Sequence, residues 1–573
     1  MSKARAKELI DFSNRLFVHK MPLDSLNQEI AENIYPQRAD FTSKFVRGED
    51  FTAHLIDSYP SQLRQELGDS FSALLRAKDQ QWFRATTQDE AVDAEPENAR
   101  YLEFMTSRIK SFLYDPRSQF VKATKQGDHD YASFGNAVIS LEERRLPPPE
   151  RSHLMLRNYH LRDCAWLEDE ITEIDRLDLK DSMSGRTMKR KFGEKKLHDS
   201  VNKACKDEPH KAFEIRVVVM PSDEYDYIGP TAYSDAKTKK KQPFVRCYID
   251  VSNMTLLREE GLIDFPFIVP RWHMVSGSQY AFSPAAMSAL PDARMTQQLT
   301  WILLEAGEKA VEPPLIATEE AVKSVDIRSG KLSWVDKEYD EKLGEALRPI
   351  KIEGDINAGL ALRQDVREIL TRAFYADRIR LPDPTKEMTA YETSKRIEEH
   401  IRNLLPLFEP IEVEYNVRLL EKAFTQMANM GAFGGRDLIP DALSDEQITW
   451  SFQTPIQEAS SRLMVERGQE TMAIVAQAQQ LGMIATSPVH GTLVVKDMVR
   501  GVNGPATWRK TEDEEAAEAE ATAAKSAIEG AAQELATGAE VVGQVSDASM
   551  KAEAAMMPMQ ERLALPAAQR QAA

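Results

Sequence analysis

The strongest constraint on this chain is a pair of helical stretches of matched length, separated by a short insert of different pattern. The first covers 283–312. Ser283–Pro284 supplies a hydroxyl cap and a proline at the first helical position, where a missing N–H costs nothing. Met295, Leu299, Ile302, Leu303 and Ala306 follow at i, i+4, i+7, i+8 and i+11, an apolar stripe of helical period. Pro291 restarts or kinks the helix, because its ring clashes with the preceding turn, and Pro313–Pro314 ends it. About 20 helical residues span roughly 30 Å. The second stretch covers 355–380, with Leu362, Val366, Ile369 and Ala373 on one stripe. Between them, 313–354 reads as short strands in LIAT, KLSWV and RPIKI, with Ser329–Gly330 turning between VDI and KLSWV. Such an order predicts an antiparallel helix pair with a small domain at its far end.

Upstream, 5–110 reads as helices joined by short loops, with Phe71, Leu74 and Leu75 at helical spacing. From about 130 the pattern turns toward strand. YASFGNAVISLEE (131–143), FEIRVVVMP (213–221) and FVRCYIDV (244–251) alternate as half-buried strands do. Phe213, Ile215, Val217 and Val219 share one face, which Val245, Cys247, Ile249 and Val251 can match on a partner strand. The polar connection ending in Lys239, Lys240 and Lys241 is either a solvated loop or a nucleic-acid contact.

Downstream, Leu381–Pro382–Asp383–Pro384 forms a rigid loop. Thr389 and Glu392 make an S/T-x-x-E capping box that starts a third helix. Ile397, Ile401, Leu404, Leu405 and Phe408 give its buried face, Pro406 and Pro410 kink it, and it resumes through Leu419, Leu420, Ala423, Phe424 and Met427 to close at Gly431. ITWSFQT (448–454) reads as a strand, 456–482 as a helix and 483–510 as loop and short helix. Beyond Glu512 the chain is rich in Ala and Glu. Ile528, Leu535 and Val542 recur every seven residues, so this tail is either a disordered acidic segment or a helix packed beside its own copies.

At 573 residues the chain is long enough for two to four domains, and 42% hydrophobic with 29% charged residues is ordinary soluble composition. Cys164, Cys205 and Cys247 lie far apart without a CxxC, which fits a reducing compartment. No leader and no apolar run near the roughly 18 residues of a membrane span is evident, so assembly in a cytoplasm is expected. Net charge is −18; residues 511–573 hold 12 acids and 4 bases, a net of −8, leaving −10 for 1–510. A protein that holds DNA needs a basic face, which this chain can offer only locally.

Catalytic motifs are missing. There is no GxxxxGK[ST], no HExxH, no GxSxG and no His/Cys cluster at metal spacing. Asp128–His129–Asp130 reads as a solvated turn in a polar loop, with a nuclease site as the sharper rival, and His273 beside Trp272 as a packed strand-end residue. The expectation is a protein that is not an enzyme and uses no metal and no cofactor. The Gly-, Ser- and Pro-rich stretch GSQYAFSPAAMSALPD (277–292) is then a mechanical joint that redirects the chain into the first helix.

RWHMVSGSQYAFSPAAMSALPDARMTQQL (271–299) resembles a segment of the head-to-tail connector (portal) proteins of short-tailed phages. There an R-W, a G-x-x-Y-x-x-S-P and an A-L-P-D-x-x-x-x-x-x-L lead into the first stem helix. The matching positions are Arg271–Trp272, Gly277, Tyr280, Ser283–Pro284, Ala289–Leu290–Pro291–Asp292 and Leu299. KAVEPPLIA (309–317) and MTAYE (388–392) continue the likeness, and YPQRADF (35–41), QWF (81–83), DYASFGNAVI (130–139) and FG (192–193) fall in the family's order. It covers roughly 30–510. Tyr391 departs from a small polar residue, and the acidic tail has no counterpart.

The resemblance implies an α+β, mainly α portal fold with wing, stem, clip and crown, assembled as a ring of twelve with an axial channel. It implies 1–282 as wing, 283–312 as first stem helix, 313–354 as clip and 355–380 as second stem helix. The tunnel loop would be 381–389, the kinked wing helix and return strand 390–455, the crown 456–510, and 511–573 a barrel or tail. Implied partners are copies of itself, the terminase large subunit, a tail adaptor, capsid and scaffolding proteins, and double-stranded DNA in the channel, with no membrane. The implied location is the capsid portal vertex of the virion, after assembly in the host cytoplasm. Small residues Ala281, Ala285, Ala286, Ser288 and Ala289 would let neighbouring subunits approach closely. An acidic ring repels the duplex from its walls, while Arg378, Arg380 and Lys386 are candidates for transient channel contacts, or else for subunit ion pairs. Arg328, Lys331, Trp334 and Lys337 are candidates for contacts of the clip with its partners. The rival from another class is a phage internal or scaffolding protein without a channel; a membrane-associated protein is disfavoured by the missing amphipathic or spanning segments.

Overall fold

The computed structural model describes residues 2–43, 48–53, 55–144, 152–225, 242–311, 356–380, 408–435, 439–443 and 446–452, together with strand pieces within 315–349 and short helical pieces from 465 onward. In chain order the elements are α1 (Ser2–Ile34), α2 (Tyr59–Leu75), β1 (Phe83–Thr86), α3 (Glu90–Ala94), α4 (Pro96–Leu113), α5 (Phe120–Phe134), β2 (Val138–Arg144) and β3 (His153–Tyr159). Then come β4 (Cys164–Glu168), β5 (Ile174–Ser184), α6 (Gly185–Phe192), α7 (Asp199–Asp207), β6 (Ala212–Pro221), β7 (Phe244–Asp250), β8 (Thr255–Leu262) and β9 (Phe267–Ile268). The rest are α8 (Leu290–Val311), β10 (Leu315–Ala317), β11 (Val322–Ser324), β12 (Trp334–Val335), β13 (Leu347–Pro349), α9 (Ile356–Ala373), α10 (Ala376–Ile379), α11 (Arg418–Asn429) and β14 (Thr449–Phe452). The protein is mostly helical with sheets.

The chain divides into two compact units, 1–86 with 104–438 and 448–502, and 87–103 with 439–447 and 503–573. In the smaller unit Asp89 caps α3 by accepting from the Ala91 N–H, the Asn98 amide donates to the Val92 carbonyl at 3.1 Å, and Arg100 pairs with Glu514 at 2.9 Å.

The larger unit is organised on an antiparallel sheet of order β4-β5-β6-β7-β8, beside a smaller one of order β3-β2-β9. β6 and β7 pair as the alternation predicts, but one residue out of the expected register. Val218 faces Cys247 and Met220 faces Val245, while Val217 faces Tyr248 and Val219 faces Arg246. Ala6, Leu9 and Ile10 of α1 cover the Val218, Met220, Val245, Cys247 and Ile249 face. On the other side Tyr248 meets Phe192 of α6, ring centroids 5.3 Å apart. With both faces of β6 buried, VVVM carries no polar mark of inside and outside, so the pattern alone could not place the face.

Other expectations need correction. Residues 131–134 are not strand but the last turn of α5, which Gly135 ends in a left-handed conformation at φ 75°; the strand begins only at Val138. Tyr131, Ala132 and Phe134 face the core, stacked against Trp272 in the first case at 4.9 Å. β1, inside the stretch read as helical, pairs with β14 across the chain, Phe83 opposite Phe452.

In the insert β10 pairs with β13 and β11, Val322–Ser324, with β12; VDI (325–327) and the Ser329–Gly330 turn lie outside the described residues. The capping box at 389–392, the helix through 390–407, most of 456–510, nearly all of the tail, and Lys239–Lys241 lie outside the described residues. Past them, the kink expected after Pro410 is a π-helical turn at Glu412–Val417. α11 follows with Leu419, Leu420, Ala423 and Met427 buried, and Gly431 closes it at φ 66°.

Candidate functional site

The joint at 271–292 is held by the end of α5. Arg271 is buried and bound to Glu168 and to the Thr172 carbonyl. Trp272 donates its N–H to the Gly135 carbonyl at 2.9 Å, and His273 pairs with Phe282 through two backbone bonds, as the strand-end reading expects. Asn136 is the clamp. Its side-chain amide donates to the Ala281 carbonyl at 2.7 Å, and its carbonyl accepts from the Ala281 N–H at 3.1 Å, copying a ladder pair. Gly135 permits the approach, since a Cβ there would lie 2.4 Å from the Phe282 carbonyl carbon. Neither residue was singled out from the sequence; the Gly–Asn pair after an apolar helix end was the available signal.

Within the joint, Gly277 turns at φ 86° in the open. Tyr280 packs on Trp166 at 4.5 Å, and burial pushes its hydroxyl up to about 12. Ser283 acts at both of its ends: its hydroxyl donates to the Ser133 carbonyl at 2.6 Å and accepts from the Ala286 N–H at 3.1 Å. Pro284 opens the helix, whose first turn, Ala285–Ala289, is π-helical, and the Leu290 N–H reaches back to the Ala285 carbonyl. Pro291 explains that widening: it brings no N–H, and its ring crowds the carbonyl four residues back. Asp292 sits in the first turn of α8, where the helix dipole favours an anion. Ala281, Ala285 and Ala289 are fully buried within this chain, so their smallness serves the fit against α5 rather than contact with another copy.

α8 and α9 pack together, with Gly359 against Leu303: a Cβ at 359 would stand 2.8 Å from that leucine. Their shared anchor is Asp57. It accepts from the Thr300 hydroxyl at 3.0 Å and from the Arg367 guanidinium at 2.8 Å, while Gln297 binds the Ile56 and Asp57 backbone. Burial opposes ionisation of this carboxyl, but the Arg367, Tyr59 and Thr300 hydrogen bonds outweigh it and hold it below the usual range.

The faces differ from the predicted stripes. On α8 the buried residues are Leu290, Ala293, Thr296 and Thr300, whereas Met295, Trp301, Ile302 and Leu304 are exposed, 57% in the case of Ile302. On α9 Val366 and Leu370 are buried, while Leu362 and Ile369 face outward. The second helix also breaks at Tyr375, left-handed at φ 57°, before α10. At its end Arg380 is ion-paired within the chain, to both carboxylate oxygens of Glu66 at 2.7 and 2.8 Å, and Arg378 lies over the Tyr375 ring at 5.6 Å. Trp334 falls in β12; its side chain, like Lys386, Arg328, Lys331 and Lys337, is outside the described residues.

Asp128–His129–Asp130 is not a solvated turn. All three lie on α5, with both carboxylates buried. Asp128 pairs with Arg76, which also binds Asn416 at 3.2 Å and lies over the Tyr415 ring at 4.5 Å. Asp130 pairs with Arg38 at 2.7 Å and accepts from Asn158 at 2.8 Å. His129 stands beside Arg64, and burial followed by that guanidinium lowers its pKa. Each acid is committed to a guanidinium, which leaves a nuclease reading without a free carboxylate here. Among the described residues no group of His, Cys, Asp and Glu is placed to hold a metal, and no helix is long and apolar enough to cross a membrane.

Known proteins resemble this chain over most of its length. A "Probable portal protein" of Bordetella phage BPP-1 is 26% identical over 412 residues, 70% of either chain, and the "Portal protein" of Salmonella phage epsilon15 is 21% identical over 495 residues, 84% of either chain. A chain from the virion of a native gene transfer agent particle covers 81% of this one and 99% of itself, at 10% identity and a TM-score of 0.31, too distant to carry an argument. Residues 6–507 match the family described as bacteriophage head to tail connecting protein, and the chain belongs to that family.

Proposed function

We propose that this protein is a phage portal: a ring at one capsid vertex through which double-stranded DNA is packaged and ejected. The observation that carries the reading is the outward apolar face of α8. Met295, Trp301, Ile302 and Leu304 are left about half exposed by their own chain, and each is worth about 0.8–1.5 kcal/mol, half of a full burial, if a neighbouring copy covers the rest. A ring supplies that cover at every subunit, and a closed ring leaves no unsatisfied end. In this reading α8 and α9 are the stem, the β10–β13 insert the clip that meets the terminase large subunit and then the tail adaptor, and 381–389 the loop toward the channel. Twelve copies follow the family expectation. Arg328, Lys331, Trp334 and Lys337 are the clip residues to test for partner contact. The role is mechanical and electrostatic, without a catalytic group or cofactor: an acidic wall lets DNA slide, since 6–10 phosphate contacts would already hold it.

Electron microscopy with mass photometry on the purified chain tests this directly. Closed rings with a central hole are expected; a monodisperse monomer or open filaments across salt conditions would return the chain to the scaffolding class. Within rings, Lys386→Ala is expected to leave assembly intact and to perturb packaging or DNA retention. Normal packaged length and retention would remove that residue from the channel.

A further inference from the structure

The β5–β6 connection breaks the charge pattern of the chain. Residues 185–211 carry nine Lys and Arg against four Asp and Glu, a net of +5 within a chain of −18. The connection is a compact helical hairpin. Gly185 brings α6 and α7 together, since a Cβ there would stand 2.7 Å from the Cys205 sulfur, and Met188, Phe192, Leu197 and Val201 are buried beneath. That burial turns the cations outward. Lys189 pairs with Glu194, and Lys211 with Glu208 at 3.8 Å. Arg186, Arg190, Lys195, Lys196, Lys203 and Lys206 are exposed, and among the described residues no ion pair or side-chain hydrogen bond engages them.

We propose that this hairpin is a second DNA contact, a surface for the phosphate backbone separate from the candidate Lys386. Six clustered cations without an ion pair repel one another; Arg190 and Lys206 sit in the last turns of α6 and α7, where a cation is favoured, and the packing of the hairpin rests on the apolar residues beneath. No large apolar side chain is exposed on the hairpin. A protein partner would lack the buried anchor that protein interfaces use, whereas a phosphate backbone needs only spaced positive charge. Flexible Lys and Arg on two short helices and the turn between them suit contact without sequence reading. The inference rests on the portal reading only for the source of the DNA.

Fluorescence anisotropy on the full chain tests it, with a labelled duplex of about 24 base pairs and a labelled poly-glutamate peptide, across about 25–200 mM salt. The variants are Arg190→Glu, Lys195→Glu, Lys196→Glu and Lys203→Glu combined, the same four changed to Gln in case reversal perturbs folding, and a control of Lys3→Glu with Lys7→Glu on α1. If all six cations engage, the log–log salt slope is about −5, and removing four lowers it by about 3–4 with at least about tenfold weaker binding at low salt. The control should bind as the parent does. Absent duplex binding, binding indifferent to the four changes, or tighter binding of poly-glutamate would overturn the proposal, the last in favour of an acidic protein partner. Mass photometry of each sample separates the two readings. Hairpin-dependent DNA binding without rings would sink the portal and keep this contact; rings without it would do the reverse.

Discussion

In the five-stranded sheet the chain covers both faces of β6 by itself, α1 on one side and α6 on the other. On α8 it covers Leu290 and a line of small and hydroxyl-bearing residues, Ala293, Thr296 and Thr300, half-covers Leu299 and Leu303, and leaves Met295, Trp301, Ile302 and Leu304 exposed. The two regions share one chain, yet the first is covered on both faces by that chain and the second is not. In the proposed ring, burial pattern rather than hydrophobicity separates the part of this molecule that makes it fold from the part that would make it assemble.

The largest expected effect lies in the complete region. Arg76→Ala strands the Asp128 carboxylate in a fully buried site and should cost about 3–5 kcal/mol of unfolding free energy, measured by denaturant titration. A loss below about 1 kcal/mol would mean that the body around α5 is not the self-sufficient core described. A smaller effect is expected at Glu412, where burial and then the Glu409 charge push the carboxyl up to about 7. A raised carboxyl pKa favours the fold while protonated, so the contribution is present below the ordinary value near 4.5 and lost as pH rises through about 7. Between those limits the thermal midpoint of the parent should fall more than that of Glu412→Gln, by about 1 kcal/mol in stability; parallel profiles would count against it. The smallest effect on folding, and the most telling, belongs to the incomplete region. Trp301→Ser with Ile302→Ser should move unfolding of the isolated chain by under about 0.5 kcal/mol, as exposed sites do, while rings are lost in mass photometry. If the double variant unfolds early, the α8 face is structural within one copy and the contrast collapses.

Local signals were legible where chemistry and geometry coincide within a few residues. The Ser283–Pro284 helix start, the disturbance after Pro410 and the close at Gly431 all rest on backbone constraints that neighbours do not alter. What depended on partners far along the chain was not legible. Asp128 and Asp130 look like a solvated loop until Arg76 and Arg38 arrive from 52 and 92 positions away. Asp57, the crosspiece of α8 and α9, is one acid among 91 until Arg367 meets it across 310 positions. Arg380 looked available for DNA because Glu66 lies 314 positions upstream. The order of weak motifs around 271–299 succeeded for a different reason: a joint clamped by α5 fixes many residue types at once.

The two π-helical turns, Ala285–Ala289 and Glu412–Val417, sit at the two ends of one long excursion, and both are tied to α5, through Ser133 and through Asp128 by way of Arg76. Exit and return are thus fastened to a single helix. Asp57 adds a third tie through Thr300 and Arg367, so a load on either helix reaches the body at three points rather than one.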